Sequence, residues 1–154
     1  MIAAPLPPSV LPPAGSVPSA DSLTNLFLQA GHLLELRLDQ ALSAQGLTAR
    51  QHRALGHIAT HPYITRVELA DALRVSGQAV GGLTQRMHSA GLIERISSGP
   101  GFPMSFLLTP LGQVSLRRAA PIVAATERDT VTALSTASLG SLLETVHALI
   151  DQLA

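Results

Sequence analysis

Thr65 and Ser76 each stand where a helix can begin, and the residues around them leave little choice of fold. Thr65 with Glu68 three residues on is a capping box, in which each side chain accepts the other's orphan backbone N–H. Leu69, Ala70, Ala72 and Leu73 follow as an apolar face. Ser76 caps a second helix, with Val80, Leu83, Met87 and Ala90 inward and Gly91 at its end. Two short helices in such quick succession suggest a helix-turn-helix. The one extended-looking stretch comes next: Leu92 to Ile96, the loop Ser97-Ser98-Gly99-Pro100-Gly101-Phe102-Pro103, then Met104 to Leu108. It reads as a β-hairpin with a Gly/Pro loop. A helix-turn-helix followed at once by a hairpin is a winged helix.

Longer helical patterns flank this unit. After Asp21 and Ser22, apolar residues recur at Leu23, Leu26, Phe27, Ala30, Leu33, Leu34, Leu38, Ala41 and Leu42, a helical spacing sustained to about residue 45 and stopped by Gly46. Thr48 and Gln51 form a further capping box, opening a helix that ends before His61-Pro62. Beyond the hairpin, Thr109 caps and Pro110 takes the first position of a long helix to about Leu134, where Pro121 must remove one backbone hydrogen bond and bends the axis. Ser138 opens a last helix with Leu139, Leu142, Val146, Leu149, Ile150 and Leu153 on one stripe. The terminal helices exceed what so small a core needs and call for a partner chain. Residues 1 to 20 hold six of the eleven prolines and read as a flexible arm. The domain is then 21 to 154, with the winged helix-turn-helix at about 48 to 108 and dimerisation helices at about 22 to 45 and 110 to 153. The fold class is mainly α, with a two-stranded hairpin wing.

Composition removes several function classes. The 154 residues suit one domain. There is no cysteine, so thiolate catalysis and Cys-ligated zinc are excluded, and aromatics at 3% leave few platforms for stacking single-stranded nucleic acid. No GxSxG elbow and no phosphate-cradling glycine loop occur, so an enzyme is not expected, nor a cofactor. His57 and His61 are four apart on a helix, a spacing able to hold a metal. No HExxH pattern or carboxylate cluster accompanies them, and surface or interface histidines are the expectation. Neither a signal peptide nor a run apolar enough to span a bilayer is seen, which points to the cytoplasm and to no membrane partner.

In order and spacing, the residues resemble the MarR family of dimeric winged-helix transcriptional regulators over about 22 to 153. The carrying residues are Gly46-Leu47-Thr48 with Gln51 and Leu55, then Glu68-Leu69-Ala70 and Leu73, then Val75-Ser76. Arg86, Gly91-Leu92-Ile93 with Arg95, and Leu108-Thr109-Pro110-Leu111-Gly112 complete the pattern. Two positions depart from it. The recognition helix carries Gly77, Gln78, Gly81 and Gly82 where polar or basic residues are usual, and the wing loop from Ser97 to Pro103 has no charge where an acidic and arginine-containing tip is common. The glycines read either as permitting close approach to a neighbouring helix or to DNA, or as lost DNA reading.

The formal charge of zero divides unevenly. Between Arg50 and Arg118 eight arginines face three carboxylates, a net +5, and the remainder carries −5. A basic DNA-facing lobe on acidic dimerisation helices would give that asymmetry. Thr65, Arg66 and Arg74 are expected on phosphates, with help from helix N-terminal donors. Ser76, Gly77, Gln78, Gly81 and Gly82 are expected to face the groove, Gln78 offering an amide that can pair with adenine, with Thr84 and Gln85 at the margin. Arg86 either touches phosphate or pairs with Glu68 or Glu94, and Arg95, Ser97 and Ser98 flank the wing.

The resulting reading is a homodimeric regulator, expected to repress, that binds a pseudo-palindromic site in double-stranded DNA. The resemblance implies that a small, often aromatic or phenolic, anion binds between the lobes and releases the DNA. The alternative is a dimeric ligand-binding or protein-interaction module of the same fold with degenerate DNA reading.

Overall fold

The computed structural model describes residues 22–97, 99–132 and 135–153. Their elements run α1 (Leu23–Leu42), α2 (Ala49–Thr60), β1 (Ile64–Thr65), α3 (Arg66–Leu73), α4 (Gly77–Ser89), β2 (Ile93–Ile96), β3 (Ser105–Leu108), α5 (Pro110–Val131) and α6 (Thr136–Leu153). The arm expected at 1 to 20 and the expected end of the fifth helix at Leu134 lie outside the described residues. The chain divides into two compact units, 1–37 and 38–154. In the first, the described helix exposes Leu23, Leu26, Leu28, Leu33, Leu34 and Leu36.

In the second unit the local signals act as the residue chemistry dictates. Both capping boxes form, Thr48 with Gln51 and Thr65 with Glu68, and Ser76 and Thr109 cap α4 and α5. Asp39 Oδ1 accepts from the Ala49 N–H at 2.6 Å, satisfying a further orphan donor of α2. Leu42, Leu55, Ile58, Leu69, Val80, Met87, Ile93 and Phe106 are fully buried and form one continuous core. Pro121 lies inside α5 without ending it; its ring nitrogen has no proton to give the Arg117 carbonyl.

The hairpin expected from the sequence acquires a third strand. The sheet order is β1-β3-β2, both pairs antiparallel, with Ile64 opposite Phe106 and Arg95 opposite the same Phe106 on the other side. A two-residue strand is too short to show alternation, and pairing with β3 alone makes it one. Tyr63 turns the chain into β1 at φ 66°, donating its N–H to the Phe106 carbonyl at 3.0 Å. The sheet thereby ties the start of α3 to the base of the wing.

A second tie joins α4, β2 and α5. Gly91, at φ 70°, ends α4, and the Leu92 N–H returns to the Met87 carbonyl at 2.9 Å. Thr109 then donates its hydroxyl to the Gly91 carbonyl at 2.6 Å and its N–H to the Leu92 carbonyl at 3.1 Å. No described helix is long and apolar enough to cross a membrane.

Candidate nucleic-acid interface

The outward face of α4 carries almost no side chains. Gly77, Gln78 and Gly82 are exposed, and Gly81 is half-buried. A Cβ added at Gly77 would meet nothing within 4 Å; at Gly81 it would meet only the tip of Arg66 at 3.9 Å, and at Gly82 only the tip of Arg86 at 3.5 Å. Of the two close approaches expected for these glycines, a neighbouring helix or DNA, no helix backbone among the described residues lies within 4 Å of the added Cβ atoms, which leaves the face open. Gln78 has its amide free to face outward. Thr84, at the margin of the expected set, is buried and its hydroxyl is given to the Val80 carbonyl at 2.9 Å. Its phase with Val80, Leu83 and Met87 already contained that outcome.

Arginines ring this face. Arg66 and Arg95, from α3 and β2, line one cleft of about 350 Å³ together with Gly81, Thr84, Pro103 and Phe106. Arg95 donates to Gln85 Oε1 at 2.8 Å, so a residue of α4 aims a residue of the wing. Gln85 was marginal by sequence; its role depends on Arg95 arriving from another element, for which no local signal exists. Arg86 lies over Gly82 on the outer face, while Glu68, one of its two expected partners, gives its carboxylate to Thr65. Arg74 caps α3 in the left-handed region, φ 55° and ψ 47°, with its side chain exposed. Ser97 is exposed at the end of β2; Ser98 falls outside the described residues.

The start of α3 is less open to an anion than its position suggests. The Thr65 N–H goes to Glu68 Oε2 at 2.8 Å, the Thr65 hydroxyl to the same oxygen at 2.7 Å, and the Arg66 N–H to the Met104 carbonyl at 3.2 Å. Thr65 is thus engaged as a cap, and the Arg66 side chain remains exposed at this end. Ser76 is likewise engaged, accepting from the Ala79 N–H at 3.2 Å.

Glu68, His52 and His57 titrate away from their ordinary values. Hydrogen bonds from the Thr65 backbone and hydroxyl hold the Glu68 carboxyl low. Burial lowers His52, against an opposing pull from Glu127, and burial with the charges of Arg53 and His61 lowers His57. For both histidines the folded state binds its proton less tightly than the unfolded chain, so the stability they confer is present above about pH 6.5 and is lost as pH falls below it. The melting temperature should therefore drop between about pH 7 and 5, a window in which Glu68 stays ionised, and the drop should shrink in a His52→Gln, His57→Gln double variant. Thermal melts across that range check it.

The family model described as MarR family matches residues 45–101, which span α2, α3, α4 and the wing's first strand. HTH-type transcriptional repressor Rv2887 of Mycobacterium tuberculosis is 30% identical over 105 residues, covering 66% of this chain and 74% of the repressor. The chain belongs to the MarR family. Among solved structures, a mutant MarR from E. coli complexed with operator DNA superimposes with a TM-score of 0.76 at 23% identity, over 82% of this chain and 92% of that one. The M. tuberculosis MarR family protein Rv2887 complexed with salicylic acid gives 0.66 at 25% identity, over 88% and 98%. This MarR family chain is accordingly a transcriptional regulator and not an enzyme, and its winged helix is that of the family.

Proposed function

We propose that the protein acts as a homodimer that represses transcription by reading a short inverted repeat in double-stranded DNA, with α4 in the major groove. The observation that carries the reading is the α4 face itself, where Gln78 is exposed beside glycines whose added Cβ would meet only the tips of Arg66 and Arg86, where Arg95 is held by Gln85, and near which Arg74 stands exposed at the end of α3. Guanidiniums neutralise phosphates and fix register, while the Gln78 amide can pair with adenine N6 and N7. One relative of this fold has been solved on operator DNA and another on DNA, which favours the same geometry here. Thr65 and Ser76 contribute by holding the helix ends, and Ser97 stands exposed at the end of β2.

Dimerisation is favoured by the leucine-rich exposed faces. The helix over 23–36 and, separately, Leu142, Leu143, Ile150 and Leu153 of α6 leave large apolar side chains in water, a cost that a second copy relieves. In a dimer the two α4 helices would address half-sites about 34 Å apart, one turn of DNA. A small aromatic anion is the effector class that fits the cavity of about 310 Å³ among Ile58, Pro62, Leu108 and Leu116, where Arg117 supplies a cation and Gln113 an amide. The salicylic acid complex of the related Rv2887 protein favours that chemistry.

The test is Gln78→Ala in a binding assay against the chain's own upstream DNA and single-base variants of it. The reading expects discrimination at one base pair per half-site to fall by about 1–3 kcal/mol while binding to unrelated DNA is unchanged. Equal binding to every variant by both proteins would instead favour the ligand-binding or interaction module.

A further inference from the structure

We propose that Phe102 is an apolar wedge that enters the minor groove beside the α4 site and partly unstacks one base step, kinking the duplex; the proposal rests on the DNA reading above. A single exposed apolar side chain is ordinary on a protein surface. Phe102 is set apart by how it is presented. It is 65% exposed in a chain whose aromatic content is 3%. Gly99, Pro100, Gly101 and Phe102 form a β-turn closed by the Phe102 N–H on the Gly99 carbonyl at 3.2 Å, with proline at the second position and Gly101 at φ 85° at the third. That is the residue order a type II turn requires. Pro103 then restricts Phe102 to extended backbone. The turn and the following proline restrain the backbone that carries the ring, so less backbone freedom remains to be lost when the side chain inserts.

Charge assigns the occupant. The loop from Ser97 to Pro103 has no charged residue, so no side-chain charge draws its tip to phosphate. The cations stand immediately behind it: Pro103, the next residue, lines the same cleft as Arg66 and Arg95. A duplex whose backbone met those guanidiniums would bring its groove close to the tip, and an apolar side chain such as Phe inserted between base steps kinks DNA by about 20–90°. Flexible pyrimidine–purine steps would be preferred, since they unstack most easily.

The test compares full-length wild type with Phe102→Ala and Phe102→Leu on upstream DNA carrying donor and acceptor dyes at its ends. Phe102→Ala should bind about tenfold more weakly and lose the shortened end-to-end distance, with the slope of affinity against salt unchanged because no charge is removed. Phe102→Leu should retain part of both. If Phe102→Ala binds and bends the DNA as the wild type does, the wedge is overturned while DNA reading stands. Loss of the dimer with DNA contacts intact would overturn it in favour of a protein contact. Failure of the wild type to prefer its upstream DNA would overturn both.

Discussion

Gly112→Ala is expected to destabilise the protein by about 3 kcal/mol, with a fall in melting temperature of roughly 6–12 °C. Gly112 lies in the first turn of α5, and a Cβ built there would overlap the Leu92 carbonyl oxygen, with the Leu92 carbonyl carbon at 3.0 Å and Leu108 Cδ2 at 3.5 Å. The obstacle is backbone and cannot rotate aside. It also accepts the Thr109 N–H, so pushing it away loosens the bond that fastens α5 to the end of α4. Gly56→Ala is the control, because nothing lies within 4 Å of its added Cβ and helix propensity alone should stabilise it by up to about 1 kcal/mol. Urea denaturation of the pair checks the contrast; equal stability for the two variants would mean the α5 joint gives way freely.

Arg74→Gly should move stability and DNA affinity in opposite directions. At φ 55° and ψ 47° an arginine costs about 1–2 kcal/mol that glycine does not, offset in part by the greater freedom of glycine in the unfolded chain. A gain of up to about 1 kcal/mol follows. Retaining arginine at a position better suited to glycine is the kind of strain found where a side chain has work elsewhere. If that work is a phosphate contact, at about 1.5 kcal/mol per charged hydrogen bond, its loss from both protomers weakens the complex by roughly 100-fold. The weakening should be the same for every DNA sequence, and the salt slope should fall by about one per protomer. Reduced stability with unchanged DNA affinity would make Arg74 a helix cap and nothing more.

What the sequence disclosed divides by the reach of the interaction involved. The capping boxes at Thr48 and Thr65 are contacts between residues three apart, and both form. The inward phase of α4 was legible for Val80, Leu83 and Met87 for the same reason, although Ala90, expected with them, is exposed at the helix end. β1 was not legible, because two residues become a strand only when Phe106 arrives opposite. Gly112 was noticed as one residue of a pattern, yet its necessity comes from a carbonyl at Leu92, on another element. The candidate site follows the same rule. The identities of Arg66, Gln78 and Arg95 could be read, whereas the engagement of Thr65 by Glu68, the aiming of Arg95 by Gln85 and the emptiness above Gly77 needed the fold.

The central claim is that a chain with no net charge binds one DNA sequence through a basic lobe. Fluorescence anisotropy of the wild-type protein on its own upstream DNA and on a shuffled duplex, between 50 and 200 mM salt, tests it most directly. Eight phosphate contacts, from Arg66, Arg74, Arg86 and Arg95 in each half of a dimer, predict a log–log slope of about −7 and a loss of roughly 20,000-fold across that range. The upstream sequence should be preferred by at least about 1,000-fold over the shuffled one. A flat salt response, or equal affinity for the two duplexes, would contradict the account.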